Sequence, residues 1–196
     1  MNRKYFIRIT LVGMFFLAVG SSQARADSGV PMLAVVWPVS WFLLIPIIVA
    51  ETWFAHRICK LSWKQSGFAA SIANFGSTLV GLPLTWGVML GAEFLMTRAR
   101  GFVLGSSFMG RLISVIVQAP WLGPYESELH WMVPAAATVL MVPFFFMSVF
   151  TERWIFVKIT ECPSETIRRW SWIANGSTYG VIISILLTIS IVSSMH

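Results

Sequence analysis

The chain has 196 residues, 57% of them apolar and only 11% charged, with a formal net charge of +6. Charged residues make up roughly 25% of an average soluble domain, so this composition excludes a water-soluble globular protein. Four of the basic residues (Arg3, Lys4, Arg8 and Arg25) fall in the first 26 positions, and the remainder is too nearly balanced to form a nucleic-acid surface.

Residues 1–26 have the pattern of a cleavable signal peptide. Arg3, Lys4 and Arg8 form a basic start, residues 9–19 an apolar core, and Ala24-Arg25-Ala26 an A-x-A cleavage site. That core is shorter than the roughly 20 residues a membrane span needs. Residues 27–92 then read as a first transmembrane hairpin, with spans at about 32–50 and 68–92 and a basic loop (Arg57, Lys60, Lys64) between them. Pro38 and Pro46 predict a kink or break in the first span.

Residues 93–130 form a longer connection. Arg111, Ser114 and Gln118 recur at helical spacing among apolar residues, which predicts an amphipathic helix lying on the outer leaflet. Ala119-Pro120-Trp121-Leu122-Gly123-Pro124-Tyr125 ends it in a turn. Residues 131–196 read as a second hairpin, with spans at about 131–150 and 172–192 and a loop carrying Arg153, Lys158, Arg168 and Arg169. The excess of basic residues in the two hairpin loops places them in the cytoplasm and both mature termini in the periplasm of a bacterial inner membrane. Cys59 and Cys162 fall on that reducing side, where a disulfide is not expected.

The hairpins share a pattern. Glu51-Thr52-Trp53 is followed by Ala73-Asn74-Phe75-Gly76-Ser77-Thr78, and Glu152-Arg153-Trp154 by Ala174-Asn175-Gly176-Ser177-Thr178. Glu, Trp, Ile, Ala and Asn match at an offset of 101; Gly, Ser and Thr match at 100 once one residue is dropped. The expected fold is an all-α membrane protein: four transmembrane helices as two parallel hairpin repeats, plus a periplasmic amphipathic helix. Small residues four apart (Ala73, Ser77 and Gly81; Gly176, Gly180 and Ser184) predict close helix packing, within the chain or against a second subunit.

Glu51 and Glu152 lie at the edges of apolar runs, within about one turn of the inner boundary, where water, Arg57 or Arg153 would be in reach. With Asn74 and Asn175 they are the candidate polar or ion path. No catalytic triad, zinc motif, Walker loop or dinucleotide fingerprint is present, so neither an enzyme nor a metal or other cofactor is expected.

Residues 45–51, the basic loop and residues 73–81 together resemble the hairpin of the cyanobacterial filament-integrity family FraC, inner-membrane proteins of septal junctions. The resemblance covers about residues 45–86. Through Ala119-Pro120-Trp121-Leu122, Tyr125-Glu126 and residues 131–136, the whole chain also resembles a family of uncharacterised bacterial inner-membrane proteins with a signal peptide. The lack of large soluble domains, the packing stripes and the absence of catalytic motifs lead to the expectation of a non-enzymatic scaffold or accessory subunit of an envelope assembly, with the lipid bilayer, other membrane proteins or its own copies as partners. The alternative is a small ion- or proton-coupled transporter or channel using Glu51 and Glu152.

Overall fold

The computed structural model describes residues 30–100, 108–123 and 129–194; the signal-peptide reading of 1–26 lies outside them, as does Tyr125-Glu126. The elements in order are β1 (Val30–Pro31), α1 (Met32–Cys59), α2 (Trp63–Gly76), a π-helical segment (Ser77–Gly81), α3 (Leu82–Arg100), α4 (Phe108–Val117), β2 (Trp121–Leu122), α5 (Leu129–Ile159) and α6 (Ser164–Ser194). The α2–π–α3 run is one continuous helical rod. With α1, α5 and α6 it supplies four helices long and apolar enough to cross a membrane, making an all-α membrane fold. Ile45, 73% exposed, and Leu95, 71% exposed, belong to the apolar outer surface that lipid would cover.

All four helices run past the apolar stretches that the sequence marks as spans. α1 passes through Pro38 and Pro46 without a break and continues to Cys59. Lys60 then turns the chain in the left-handed region (φ 55°), and a capping box starts α2. In that box Ser62 Oγ accepts the Gln65 N–H, while Gln65 Oε1 accepts the Ser62 N–H. α1 packs against α2 and α6, and α5 likewise against α2 and α6, so the rods stand in a ring.

One end of the ring carries the short connections. A buried cluster of Ala55, Ala69, Ala73, Phe156, Ile167, Trp170 and Ala174 fills it, with Phe156 and Trp170 ring centroids 4.1 Å apart. At the opposite end β1 and β2 pair antiparallel, Val30 opposite Leu122. The Pro120 carbonyl accepts both the Met32 N–H (3.0 Å) and the Trp86 indole N–H (2.8 Å), tying the turn to two helices.

The α4 helix spans ten residues, about 15 Å long, and cannot cross a hydrocarbon core of roughly 30 Å. Of the polar residues expected to form one stripe, Arg111 and Gln118 are half-buried and Ser114 alone is fully enclosed. Ser114 is buried, with its hydroxyl on the Gly110 carbonyl, while Met109, Ile113 and Ile116 face outward. Burial of Val115 and Ala119 against the core fixes this rotation and carries Ser114 inward with them.

Candidate functional site: a buried carboxyl pair

Glu51 and Glu152 are not at a water-accessible edge. α1 continues eight residues beyond Glu51 and α5 seven beyond Glu152, roughly 10–12 Å of further helix. Their exposures are 0% and 1%. The expected pairing with Arg57 or Arg153 does not occur, because those cations are drawn outward to other partners. Arg57 lies over the Trp53 ring at 5.7 Å, and Arg153 bonds Ser164 Oγ at 3.5 Å. Lys158 lies over the Trp154 ring at 4.9 Å, so the cation–π pair recurs at the 101-residue offset.

The two carboxyl groups are neighbours that face each other at the wall of one cavity. Each is held by the asparagine 23 residues later in the chain. Asn74 Nδ2 donates to Glu51 Oε2 at 2.5 Å, and Asn175 Nδ2 donates to Glu152 Oε2 at 2.7 Å. Ser77 Oγ donates to the other Glu152 oxygen at 2.9 Å, which ties the π segment to α5. π-helical turns recur at functional sites, and this one begins three residues after Asn74. Both asparagines are buried, so water does not compete for these bonds.

Among the described residues, two polar atoms in the group have no hydrogen-bond donor, Glu51 Oε1 and Asn175 Oδ1. Glu51 Oε1 can be satisfied by a proton or cation shared with the facing carboxyl; Asn175 Oδ1 cannot be satisfied by the neighbouring side chains as they stand. Among the described residues no basic side chain bridges the pair.

The four candidate path residues therefore come together in one place, at one end of a cavity of about 560 Å³ between the four helices. Ser148 and Tyr179 extend the polar group and bond each other at 2.8 Å. Trp170 closes it on the side of the short connections, donating its indole N–H to the Glu51 carbonyl at 3.1 Å. Thr78, Ser148, Tyr179 and Trp170 join the four side chains that the sequence pattern marks as candidates. Helical spacing held the signal for three of them: Thr78 lies four residues after Asn74, Tyr179 four after Asn175, and Ser148 four before Glu152. Trp170 gave none, since interfacial tryptophans are common in such chains.

The small-residue stripes divide. Ala73, Ser77 and Gly81 are buried against neighbouring helices. Gly176, Gly180 and Ser184 are exposed, and a Cβ on either glycine would meet nothing within 4 Å. Packing of that stripe within the chain is corrected, for the face carrying Ile167, Ser171, Ala174, Asn175 and Thr178 is the one turned inward. The alignment of Gly-Ser-Thr at an offset of 100 is corrected with it. Ser77 corresponds in space to Thr178, each hydroxyl reaching the carbonyl of the asparagine three residues earlier. Ser177 is exposed and bonds Ile173.

The chain matches no family model, no curated protein and no solved structure. The chemistry of the site has to be read from its own geometry.

Proposed function

We propose that this chain is a small membrane carrier that exchanges protons or cations at the Glu51–Glu152 pair. The observation that carries this reading is two fully buried, facing carboxyl groups without a basic partner, at the end of a cavity. A hydrogen bond between two carboxyls needs a proton between them, and a small cation can take that proton's place. Intramembrane acidic residues are costly and mark ion pathways far more often than they serve packing. The asparagines hold the carboxyls in register, and the Phe156–Trp170 stack blocks direct passage toward the short connections. Exchange across the membrane therefore requires that stack to move.

The proposed orientation has the short connections in the cytoplasm and α4 at the periplasmic face. Arg57, Lys60, Lys158, Arg168 and Arg169 at one end support it. The equal Glu–Asn separations, the paired cation–π contacts and the matching packing of α1 on α6 and α5 on α2 support two parallel hairpin repeats. A second reading, a scaffold or accessory subunit, is favoured by the outward Gly176-Gly180-Ser184 stripe, a face suited to another helix.

The test of the carrier reading is dissipation of an imposed pH gradient in vesicles containing the purified chain. Dissipation that is lost in Glu51→Gln and in Glu152→Gln supports the reading. Vesicles as tight as empty ones, under every cation gradient tried, overturn it.

A further inference from the structure

We infer that the cavity takes a single-chain amphiphile with a protonated amine head, the ammonium meeting the carboxyl pair and the hydrocarbon chain lying along the helices. The inference rests on the reading of Glu51 and Glu152 as an exchange site and adds the class of its solute. Three observations lead to it.

The cavity is strongly polarised. Glu51, Asn74, Ser77, Glu152, Asn175 and Tyr179 gather at one end. Apart from Ser40 and His130, the wall away from that end is apolar, with Val39 and Leu43 from α1, Val133 and Ala137 from α5, and Ile182 and Leu186 from α6. A hydrated inorganic ion would gain nothing along such a wall, whereas a hydrocarbon chain fits it.

The cavity is also long. Its lining on α6 runs from Asn175 to Ile189, about 21 Å at the rise of an α-helix. One lipid tail spans a single leaflet, about 15 Å of hydrocarbon, so the wall accommodates a full-length chain. The volume of about 560 Å³ lies within the ordinary range for a small-molecule site.

The polar end lacks donors and has acceptors to spare. Glu51 Oε1 and Asn175 Oδ1 are buried without a donor, in side chains that are 0% exposed. An ammonium head carries three donors and a positive charge, which satisfies both atoms and balances the carboxyl pair. A carboxylate or phosphate head would add acceptors and negative charge where both are already in excess.

Moving a hydrocarbon tail from lipid into an apolar cavity gains little, because the two surroundings are alike. Selection therefore rests on the head, and the test follows from that. The full chain in phosphatidylcholine nanodiscs is irradiated with hexadecylamine bearing a mid-chain diazirine, and with the matched alcohol and carboxylic acid probes. The amine is expected to label Val133, Ala137, Ile182 or Leu186 at least about tenfold more than either control, the ratio set by a charge-assisted hydrogen bond. Glu51→Gln and Glu152→Gln should each lower amine labelling to the level of the alcohol. Ala137→Phe, or Val39→Phe if the first does not fold, should block it by filling the wall.

Equal labelling by the three heads, or labelling unchanged in both Gln variants, overturns the inference. Glu51-dependent collapse of the pH gradient alongside head-independent labelling refutes the amine solute and leaves the exchange site standing. Loss of both refutes the site itself.

Discussion

Truncating the two asparagines separates a carboxyl pair held by the fold from one that is only incidentally enclosed. Asn175→Ala removes the amide 2.7 Å from Glu152 Oε2, and Asn74→Ala removes the one 2.5 Å from Glu51 Oε2. A hydrogen bond to a charged group contributes about 1.5–3 kcal/mol in soluble proteins. Within membranes measured bonds average about 0.6 and reach about 1.7 kcal/mol, since the unfolded chain also finds partners. These amides serve buried carboxyls that have few other donors, which places them at the upper end of the membrane range, about 1.5 kcal/mol each. For a chain of this size that lowers Tm by about 3–6 °C. Because the carboxyls face each other, the two substitutions act on one network, and their double-mutant cycle should depart from additivity by about 0.5 kcal/mol or more. Reversible unfolding in mixed micelles, followed by thermal melts, reads both quantities. Single variants within about 0.3 kcal/mol of the parent would refute the reasoning, as would strict additivity.

Other expectations follow from the packing. The Cys59 and Cys162 thiols are neighbours, so mild copper-catalysed oxidation should give an intrachain disulfide that joins the two short connections. Mass spectrometry after proteolysis detects it, and a mixture of intermolecular adducts only would contradict the contact. Gly76 and Gly176 should respond oppositely to Leu. A Cβ at Gly76 would stand 2.5 Å from the Ile155 Cδ1 methyl, so Gly76→Leu must displace the Ile155 side chain and should destabilise by about 1 kcal/mol or more. Gly176→Leu meets only open space and should leave single-chain stability within about 0.5–1 kcal/mol. Thermal melts of the two variants check the contrast.

Apolar run lengths made four spanning helices legible from sequence, and the paired glutamates and asparagines marked the four side chains that the structure brings together. The depth of the carboxyls was not legible. An apolar run ends where polar residues begin, but the helix continues through Thr52 and Arg153 until Lys60 and the residues after Ile159 stop it. Counting to the end of the run therefore put Glu51 about one turn too close to the helix end. The facing of the stripes was also hidden, since four-residue spacing defines a face without saying what it meets. Gly176-Gly180-Ser184 has that spacing as clearly as Ala73-Ser77-Gly81, yet the burial of Ala174, Asn175 and Thr178 turns it outward. At α4 the same limit applied, because Ser114 follows Val115 and Ala119 into the core despite its polar side chain.

The proposed exchange requires Glu51 and Glu152 to share one proton at a single buried site. Infrared spectra of the reconstituted chain, compared with the Glu51→Gln/Glu152→Gln double variant, address it directly. The parent protein is expected to show a protonated-carboxyl C=O band at neutral pH that disappears in the double variant and is displaced when a long-chain amine is added. Two fully ionised carboxylates in the parent protein, with no band lost in the double variant, would contradict the shared proton.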